Sequence, residues 1–442
     1  MKKLLSLMAV GAFSISTVSA TVSCMPQKPA SSKRNPLKIG LDIDKTKAID
    51  TSVDPTTHKG FTNYFIIGDS LSDVDGLTTY VKDKFVVSTG LDKMLDFNIE
   101  LSGGYGFDDE NGVHHNAFSN GPTTAYNIGN KLNFKNLKSS NKFSKLNGEN
   151  DVYGKNYSIG GATAAKIDPL AGGVLLNDVS IEEQSRVMIS QQKISSNDLV
   201  FFEIGGNDLF SMIGSQQAGD DKAVIDYMND SIEKLRNSLF TLLNNGVENV
   251  FFMGPPIMDN IPRYAQSSQE EKQKIIDLGK EYELKIEKVV KEVKTYYGDK
   301  LIYSPLYEGD YSFPVLQKGY GEHLLETETI SNEDEYVSNV AFSGNPEISI
   351  EMDKNKIEMP LNEIEEKLEL KEVKEYLKEN NPKKVQVNIK MPNALETNGY
   401  ENNEQRDKLM EKYFFTDFVH PTKKVHEYVS TIMLEEMLKG FK

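Results

Sequence analysis

The sequence contains one cysteine, no tryptophan and fewer basic than acidic side chains. A single thiol excludes an internal disulfide, so the stability of the fold must come from its core. The formal net charge of −16 argues against a nucleic-acid partner, because the phosphate backbone would be repelled. Of its 442 residues 38% are hydrophobic and 26% are charged, which fits a soluble globular protein with one large domain or two ordinary ones.

The apolar run at the N-terminus is too short, and too rich in serine and threonine at its end, to predict a transmembrane helix. The stretch MKKLLSLMAVGAFSISTVSATVSC has lysines, an apolar region and then small residues, which is the pattern of an export signal. Cys24 stands where a bacterial lipoprotein signal places its lipid-modified residue, although Thr21 stands where leucine is more usual. We therefore expect residues 1–24 to be a lipoprotein-type signal peptide with lipid attachment at Cys24. The alternative is ordinary cleavage after Ala20.

Both alternatives imply that the protein is exported. Lipidation of Cys24 would anchor it to the outer face of the cell membrane, whereas cleavage after Ala20 would make it a secreted protein. Residues 25–60 mix Pro, Ser, Thr and Lys with isolated apolar residues. This composition favours a flexible tether between a membrane surface and a folded domain.

Short apolar runs that alternate with helical segments follow the expected tether. The runs are YFII from Tyr64, KNYSI from Lys155, LVFFEI from Leu199, VFFM from Val250 and LIYS from Leu301. Uninterrupted apolar strands belong to a sheet that is covered on both faces, and alternation with helices predicts parallel pairing. We expect an α/β fold with three layers, αβα, in which a five-stranded, mainly parallel sheet lies between two layers of helices.

An acidic, Asn-rich region interrupts this pattern between residues 326 and 410. The runs EISIEM and KVQVNIKMP alternate as strands do, and LNEIEEKLELKEVKEYL has helical spacing. These periodic apolar residues predict a small α+β insertion between two parts of the domain, residues 61–325 and 411–442. Its role stays open between a solvated acidic decoration and a functional cap.

Polar segments follow the predicted strands at the points where a doubly wound sheet places its ligands. GDSLSD follows the first strand, GGAT the second and GGND the third, and TDFVHPT lies near the C-terminus. Each segment alone is ordinary turn or helix-cap chemistry. The G-x-S-x-G elbow of other α/β hydrolases does not occur in the chain.

Together the four segments resemble the GDSL, or SGNH, hydrolases. The resemblance covers the chain from Tyr64 to about Leu325 and from Tyr413 to the C-terminus, and it includes the loop FSNGPTTAYNIGNKL. It implies that Ser70 is the nucleophile of a serine hydrolase. His420 would take the serine proton, and Asp417 would orient the ring of that histidine.

The resemblance also implies an oxyanion hole built from three donors. These are the backbone N–H groups of Ser70 and Gly161 and the side-chain amide of Asn207. The alignment of the glycine pair leaves Gly160 as the alternative to Gly161. Asp69 and Asp73 are expected to hold the loop rather than to take part in the chemistry.

The activity implied by the resemblance is hydrolysis of carboxylic esters. A lipid anchor would place the enzyme beside a membrane, which favours lipid acyl esters and a lipase, phospholipase or lysophospholipase type of activity. A carbohydrate O-acetyl esterase and an acyltransferase are the enzymatic alternatives, and a surface adhesion lipoprotein that retains the fold is the non-enzymatic one. We expect no metal and no cofactor, because neither the other histidines nor the stretch from Asp73 to Gly76 has ligand spacing. The oligomeric state stays open.

Overall fold

The structure is a computed structural model that describes residues 35–441, apart from residues 89, 91, 93, 94, 136, 145–152, 168–172, 342–346, 354, 361–382 and 392–402. The expected signal peptide, Cys24 and residues 25–34 therefore lie outside the described residues. Within the described part of the chain, no helix has both the length and the apolarity needed to cross a membrane.

Strands and helices alternate through most of the chain. The strands are β1 (Asn63–Ile67), β2 (Asp96–Gly103), β3 (Phe107–Asp108), β4 (His114–His115), β5 (Asp198–Glu203), β6 (Asn249–Met253), β7 (Leu301–Ser304), β8 (Val337–Val340), β9 (Glu347–Met352), β10 (Asn355–Pro360), β11 (Lys384–Met391) and β12 (Tyr413–Phe415). The α-helices are α1 (Gly76–Lys82), α2 (Thr124–Lys131), α3 (Gly173–Leu176), α4 (Ile181–Gln191), α5 (Gly206–Gln217), α6 (Asp221–Asn244), α7 (Gln269–Tyr297), α8 (Phe313–Glu326), α9 (Asn403–Met410) and α10 (Lys423–Gly440).

The central sheet has the order β1-β5-β6-β7, and all its strands are parallel. Helix α2 packs on α10, while α4, α5 and α7 pack on α6. Neighbouring residues of β7 show that these groups cover opposite faces, since successive side chains of a strand point to opposite sides. Tyr303 donates a hydrogen bond to Glu283 of α7, and Ser304 contacts Met433 of α10. The predicted αβα arrangement is confirmed.

The sheet has four strands rather than the predicted five. Residues 155–159, the KNYSI run, lie beside β1 in the parallel sense and exchange three backbone hydrogen bonds of 2.8–3.1 Å with residues 66 and 68. The next bond of the ladder is missing, because the Gly68 N–H donates to the side chain of Gln184 at 2.9 Å instead. The segment therefore fills the fifth position without becoming a regular strand.

The long helices begin and end at the residues that their sequences indicate. Helix α7 starts with a capping box in which the Ser268 hydroxyl and the Glu271 carboxylate bond each other's backbone N–H groups. Helix α6 ends just before Gly246, whose φ of 100° is the left-handed conformation expected after a helix.

Residues 35–60 are not a free tether, and this part of the prediction is wrong. The amide of Asn244 on α6 donates hydrogen bonds of 2.8 Å to the carbonyls of Pro36 and Ile39. The Ile39 side chain is buried, and Arg186 pairs with Asp42 at 2.8 Å. Leu37, Leu41 and Val53 stay exposed, so the buried Ile39 and the hydrogen bonds to its backbone carbonyls hold the segment on the domain.

A second sheet has the order β10-β9-β11-β2. The insertion supplies β9, β10 and β11, and β2 comes from the main part of the domain, where no strand was predicted. Strands β11 and β2 pair in parallel from Lys384 opposite Asp96 to Met391 opposite Gly103. The alternation predicted for β9 and β11 is confirmed, because each buries every second residue. The helix predicted from residue 361 lies outside the described residues.

Candidate active site

The predicted site segments meet at one edge of the central sheet. Ser70 lies three residues beyond the end of β1, and Asn207 lies in the first turn of α5, just after β5. Both line a small cavity of about 30 Å³ together with Gly161 and His420. Strand β12 and the turn that follows it bring the C-terminal motif to the same edge.

Ser70, His420 and Asp417 form a connected hydrogen-bonded chain. The Ser70 Oγ lies 2.9 Å from Nε2 of His420, and Nδ1 of the same ring lies 2.7 Å from Oδ2 of Asp417. All three residues are buried. The geometry requires that Nδ1 carries a hydrogen and donates a hydrogen bond to the carboxylate, so that Nε2 can accept the serine hydroxyl proton.

A tight turn over residues 416–421, which we call the Asp–His turn, fixes the two C-terminal members of this chain. Oδ1 of Asp417 accepts hydrogen bonds of 2.7 Å from the N–H groups of Val419 and His420. Burial by itself raises the pKa of Asp417, but the charge and hydrogen bond of His420, a Tyr105 hydrogen bond and the backbone donors together hold that pKa below its usual value. Asp417 is therefore a carboxylate at neutral pH.

The structure favours Gly161 over Gly160 as an oxyanion donor. The N–H of Gly160 already donates to Oδ2 of Asp73 at 2.5 Å. No residue in the described ranges accepts from the N–H groups of Gly161 or Ser70. Gly161 has a φ of 81°, which a residue with a Cβ rarely adopts. The Asn207 amide donates one N–H to Ala162 at 3.0 Å, which leaves its other N–H for a ligand in the cavity.

Buried aspartates join the motif segments to each other. Asp73 accepts hydrogen bonds from the N–H groups of Gly76 and Leu77 as well as Gly160, so it ties the first motif to the second. Asp208 ties the third motif to the second by accepting from residues 164 and 165 at 2.9 Å. Burial raises the pKa of Asp73 to about 7 and that of Asp208 to about 6. As expected for Asp73, these contacts are structural.

Asp69 and Glu203 form a pair of buried carboxyl groups next to Ser70. Oε2 of Glu203 accepts from the backbone N–H of Asp69 at 3.3 Å and from the Ser72 hydroxyl at 3.2 Å. Burial raises the pKa of Asp69 to about 6. Burial, followed by the neighbouring charge of Asp69, raises the pKa of Glu203 well above its usual value. Glu203 is therefore the protonated member, and the pair supports the loop that carries Ser70.

Two aromatic residues at the site were not predicted. The ring of Phe118 stacks on His420 with centroids 5.5 Å apart, and the hydroxyl of Tyr105 lies 2.5 Å from Asp417 Oδ2. Phe118 also occupies the space beside Gly160, where a Cβ would come within 2.2 Å of its ring. Phe118 begins the FSNG segment of the family pattern, which is a sequence signal for its position. Nothing in the local sequence indicates Tyr105.

The other histidines in the described part of the chain lie outside this hydrogen-bonded chain. His114 and His115 form β4 and pair with Asp108 and Asp75. His426 is buried on α10, where it lies 3.1 Å from the N–H of Thr124, and burial lowers its pKa to about 3, so it is neutral. Among the described residues, no group of three or more His, Cys, Asp or Glu side chains is arranged to hold a metal ion.

Comparison with known families gives one match that spans these features. Residues 64–432 match the family model described as GDSL-like Lipase/Acylhydrolase. No curated protein matches the chain. The matched range includes most of the sequence and every residue of the hydrogen-bonded chain from Ser70 to Asp417. The protein thus belongs to the GDSL-like lipase/acylhydrolase family, whose chemistry is the hydrolysis of esters.

Proposed function

We propose that the protein is a serine-dependent hydrolase of lipid acyl esters. The observation that carries this proposal is the 2.9 Å contact between Ser70 Oγ and His420 Nε2, with Asp417 on the far side of the ring. A serine hydroxyl needs a nearby base to become a nucleophile, and this arrangement provides one.

In the proposed mechanism Ser70 Oγ bonds to the ester carbonyl carbon while its proton passes to Nε2 of His420. The carbonyl oxygen becomes an oxyanion, which the donors of Ser70, Gly161 and Asn207 would stabilise, each by about 3 kcal/mol. The C–O bond to the alcohol then breaks, and His420 gives its proton to the departing oxygen. Water attacks the acyl-enzyme in the same way, which releases the acid and restores Ser70.

The lining of the cavity supports an acyl group as the ligand. Its walls include apolar side chains from four parts of the chain: Leu71, Phe210, Met258, Ile261 and Val419. Phe418, within the Asp–His turn, is a large apolar side chain that stays 37% exposed. An apolar wall next to the nucleophile favours the hydrocarbon part of an ester over a charged group.

The size of the cavity favours a second candidate, the hydrolysis of short acyl esters such as O-acetyl groups on carbohydrates. About 30 Å³ holds little more than a water molecule or a methyl group. A long acyl chain would have to continue along the open side of the cleft.

Kinetics on esters of graded length separate these candidates. Rates on p-nitrophenyl esters from acetate to palmitate are measured beside phospholipid, lysophospholipid and acetylated sugar substrates, with Ser70→Ala as the control. The proposal predicts higher kcat/KM on medium or long chains and release of fatty acid from a lipid. Activity restricted to acetyl esters would instead establish the short-chain alternative, and acyl transfer to an added alcohol in preference to water would establish an acyltransferase.

The lipid preference is linked to a proposed location at the outer face of the membrane, through a lipid on Cys24. Labelling of cells with an alkyne fatty acid tests this directly. Wild-type protein should incorporate the label, and the Cys24→Ala variant should not. An unlabelled wild type that appears in the culture medium would instead support cleavage after Ala20 and secretion.

A further inference from the structure

Asp417 receives a hydrogen bond from a residue outside the four family motifs. The hydroxyl of Tyr105 lies 2.5 Å from Oδ2 of Asp417. This is the same oxygen that accepts the Nδ1 proton of His420. Oδ1 of Asp417 is already occupied by the two backbone donors of the Asp–His turn. Tyr105 therefore completes the set of donors around a buried carboxylate.

The ring of Tyr105 is held by an aromatic cluster with Phe118 and His420. It packs edge-on against Phe118, with ring centroids 5.6 Å apart and an interplanar angle of 78°. It packs edge-on against His420 as well, with centroids 6.3 Å apart and an angle of 87°. Tyr105 is only 1% exposed and does not line the cavity. Its hydroxyl therefore contacts the carboxylate rather than a substrate.

The surroundings of the Tyr105 hydroxyl keep it protonated, so that it remains a hydrogen-bond donor. Burial, and after it the negative charge of Asp417, raise the pKa of Tyr105 well above its usual value. A neutral phenol beside a carboxylate forms a charge-assisted hydrogen bond, which is stronger than one between neutral groups.

The loop that carries Tyr105 is anchored to the insertion. It follows β2, and the N–H of Gly104 donates to Met391 at the end of β11 at 3.1 Å. The guanidinium of Arg406, on α9, donates to the carbonyl of Gly103. On its other side the loop is tied to the FSNG segment, because the N–H of Gly106 donates to the carbonyl of Ser119 at 2.9 Å.

We propose that Tyr105 is a positioning residue that orients Asp417 toward His420 and couples the second sheet to the Asp–His turn. The inference rests on the proposed function, since it assigns a role within the same site. Without Tyr105, the carboxylate would be fixed at Oδ1 by the backbone but held at Oδ2 only by the imidazole, and the two side chains could turn together. A donor at Oδ2 from a different direction fixes the plane in which that oxygen meets the imidazole.

The test compares two conservative substitutions of buried tyrosines. Tyr105→Phe keeps the ring and removes the hydroxyl, and Tyr64→Phe makes the same change where the hydroxyl donates to the Ala125 carbonyl at 2.8 Å. We expect Tyr105→Phe to lower kcat about tenfold with KM unchanged, because the lost bond is to a charged group behind the base. Tyr64→Phe should leave kcat unchanged. Equal kinetics in the two variants would overturn the proposal.

Proton NMR provides a readout that needs no substrate. The His420 Nδ1 proton, which is shared with Asp417, should give a downfield resonance that moves in Tyr105→Phe and stays in place in Tyr64→Phe. An unmoved resonance in folded Tyr105→Phe would overturn the inference. If the wild type is inert toward every ester, the proposed function fails, and this resonance still decides the role of the hydroxyl.

A second variant covers the case in which Tyr105→Phe does not fold. Incorporation of 3-fluorotyrosine at position 105 keeps the ring and hydroxyl but makes the hydroxyl a stronger donor. The downfield resonance must then move if the hydroxyl contacts Asp417. A resonance identical to that of the unlabelled protein would contradict the contact.

Discussion

The two four-stranded sheets of the molecule bury their strands in different ways. In the central sheet every residue of β1 and β5 is buried and all strands are parallel. In the second sheet β9 and β11 bury alternate residues, and antiparallel pairs accompany the parallel pair of β11 and β2. The central sheet ends at Ser70 and Asn207, whereas the second ends at Tyr105. The central sheet thus carries the nucleophile and an oxyanion donor, whereas the second sheet supports Asp417, which lies on the turn after β12.

The largest expected change in kcat comes from a comparison of two asparagines at opposite ends of the central sheet. Asn207→Ala should lower kcat about 100- to 1,000-fold, because its amide is placed to stabilise the oxyanion. Asn249→Ala is the matched control at the opposite end of the strands, where the side chain bonds the carbonyls of Ser196 and Asp198. Steady-state kinetics and thermal unfolding are measured for both. A loss in Asn207→Ala no larger than that in the control would remove Asn207 from the oxyanion hole.

Glu283, which lies between α7 and the central sheet, should make the stability of the protein depend on pH. Burial raises the pKa of Glu283 from 4.5 to about 7, so the folded state favours its neutral form. That stabilisation is complete below pH 4.5 and is lost as the pH rises through 7, by about 3 kcal/mol in all. Glu283→Gln keeps a neutral group that can accept from Tyr303, so its stability should fall less between pH 5 and 8.5.

Urea unfolding at the two pH values measures this difference. The control is Glu281→Gln, since the Glu281 side chain is 60% exposed in its pair with Lys285. It should retain the pH dependence of the wild type. An unaltered pH dependence in Glu283→Gln would show that Glu283 is ionised in the folded protein.

A smaller effect compares the two sheets directly. Val387 of β11 and Val250 of β6 are both fully buried, and truncation of either to alanine should cost about 2 kcal/mol. Because β11 pairs with β2, Val387→Ala should also lower kcat through the loop that holds Tyr105, whereas Val250→Ala should leave kcat unchanged. Urea unfolding and kinetics at a temperature where both remain folded check this. Equal kcat values would show that the second sheet is not coupled to the site.

The smallest effect concerns the carboxyl group beneath Ser70. Glu203→Gln should change the free energy of unfolding by less than about 1 kcal/mol, because Glu203 is already neutral and an amide can replace its hydrogen bonds. Glu182→Gln is the comparison, since Glu182 is buried and lies 2.6 Å from the ammonium group of Lys234. A large loss of stability in Glu203→Gln, measured by thermal unfolding at pH 7, would indicate an ionised Glu203.

The parts of the fold that sequence predicts well are those whose signal is local. Strands β1, β5, β6 and β7 are continuous apolar runs, and helix α7 shows its capping box in the sequence itself. The KNYSI run bonds to β1 as a strand would, but the ladder stops where the Gln184 side chain accepts from the Gly68 N–H, a contact that no local pattern indicates. Strand β2 was missed because its partner lies almost 300 residues further along the chain.

The site shows the same division. Ser70, Asn207 and His420 lie in short motifs at strand ends, so their convergence could be anticipated from the topology. Tyr105 reaches Asp417 across more than 300 residues through a loop that the insertion holds in place. Such a contact depends on tertiary packing, and no local pattern indicates it.

Mass spectrometry of the protein after reaction with a fluorophosphonate tests whether Ser70 is the nucleophile. We expect one adduct per chain, on the peptide that contains Ser70. Ser70→Ala should remove the adduct, and His420→Ala should slow its formation by several orders of magnitude. Folded wild-type protein that forms no adduct, or forms it at another residue, would contradict the assignment of Ser70 as the nucleophile.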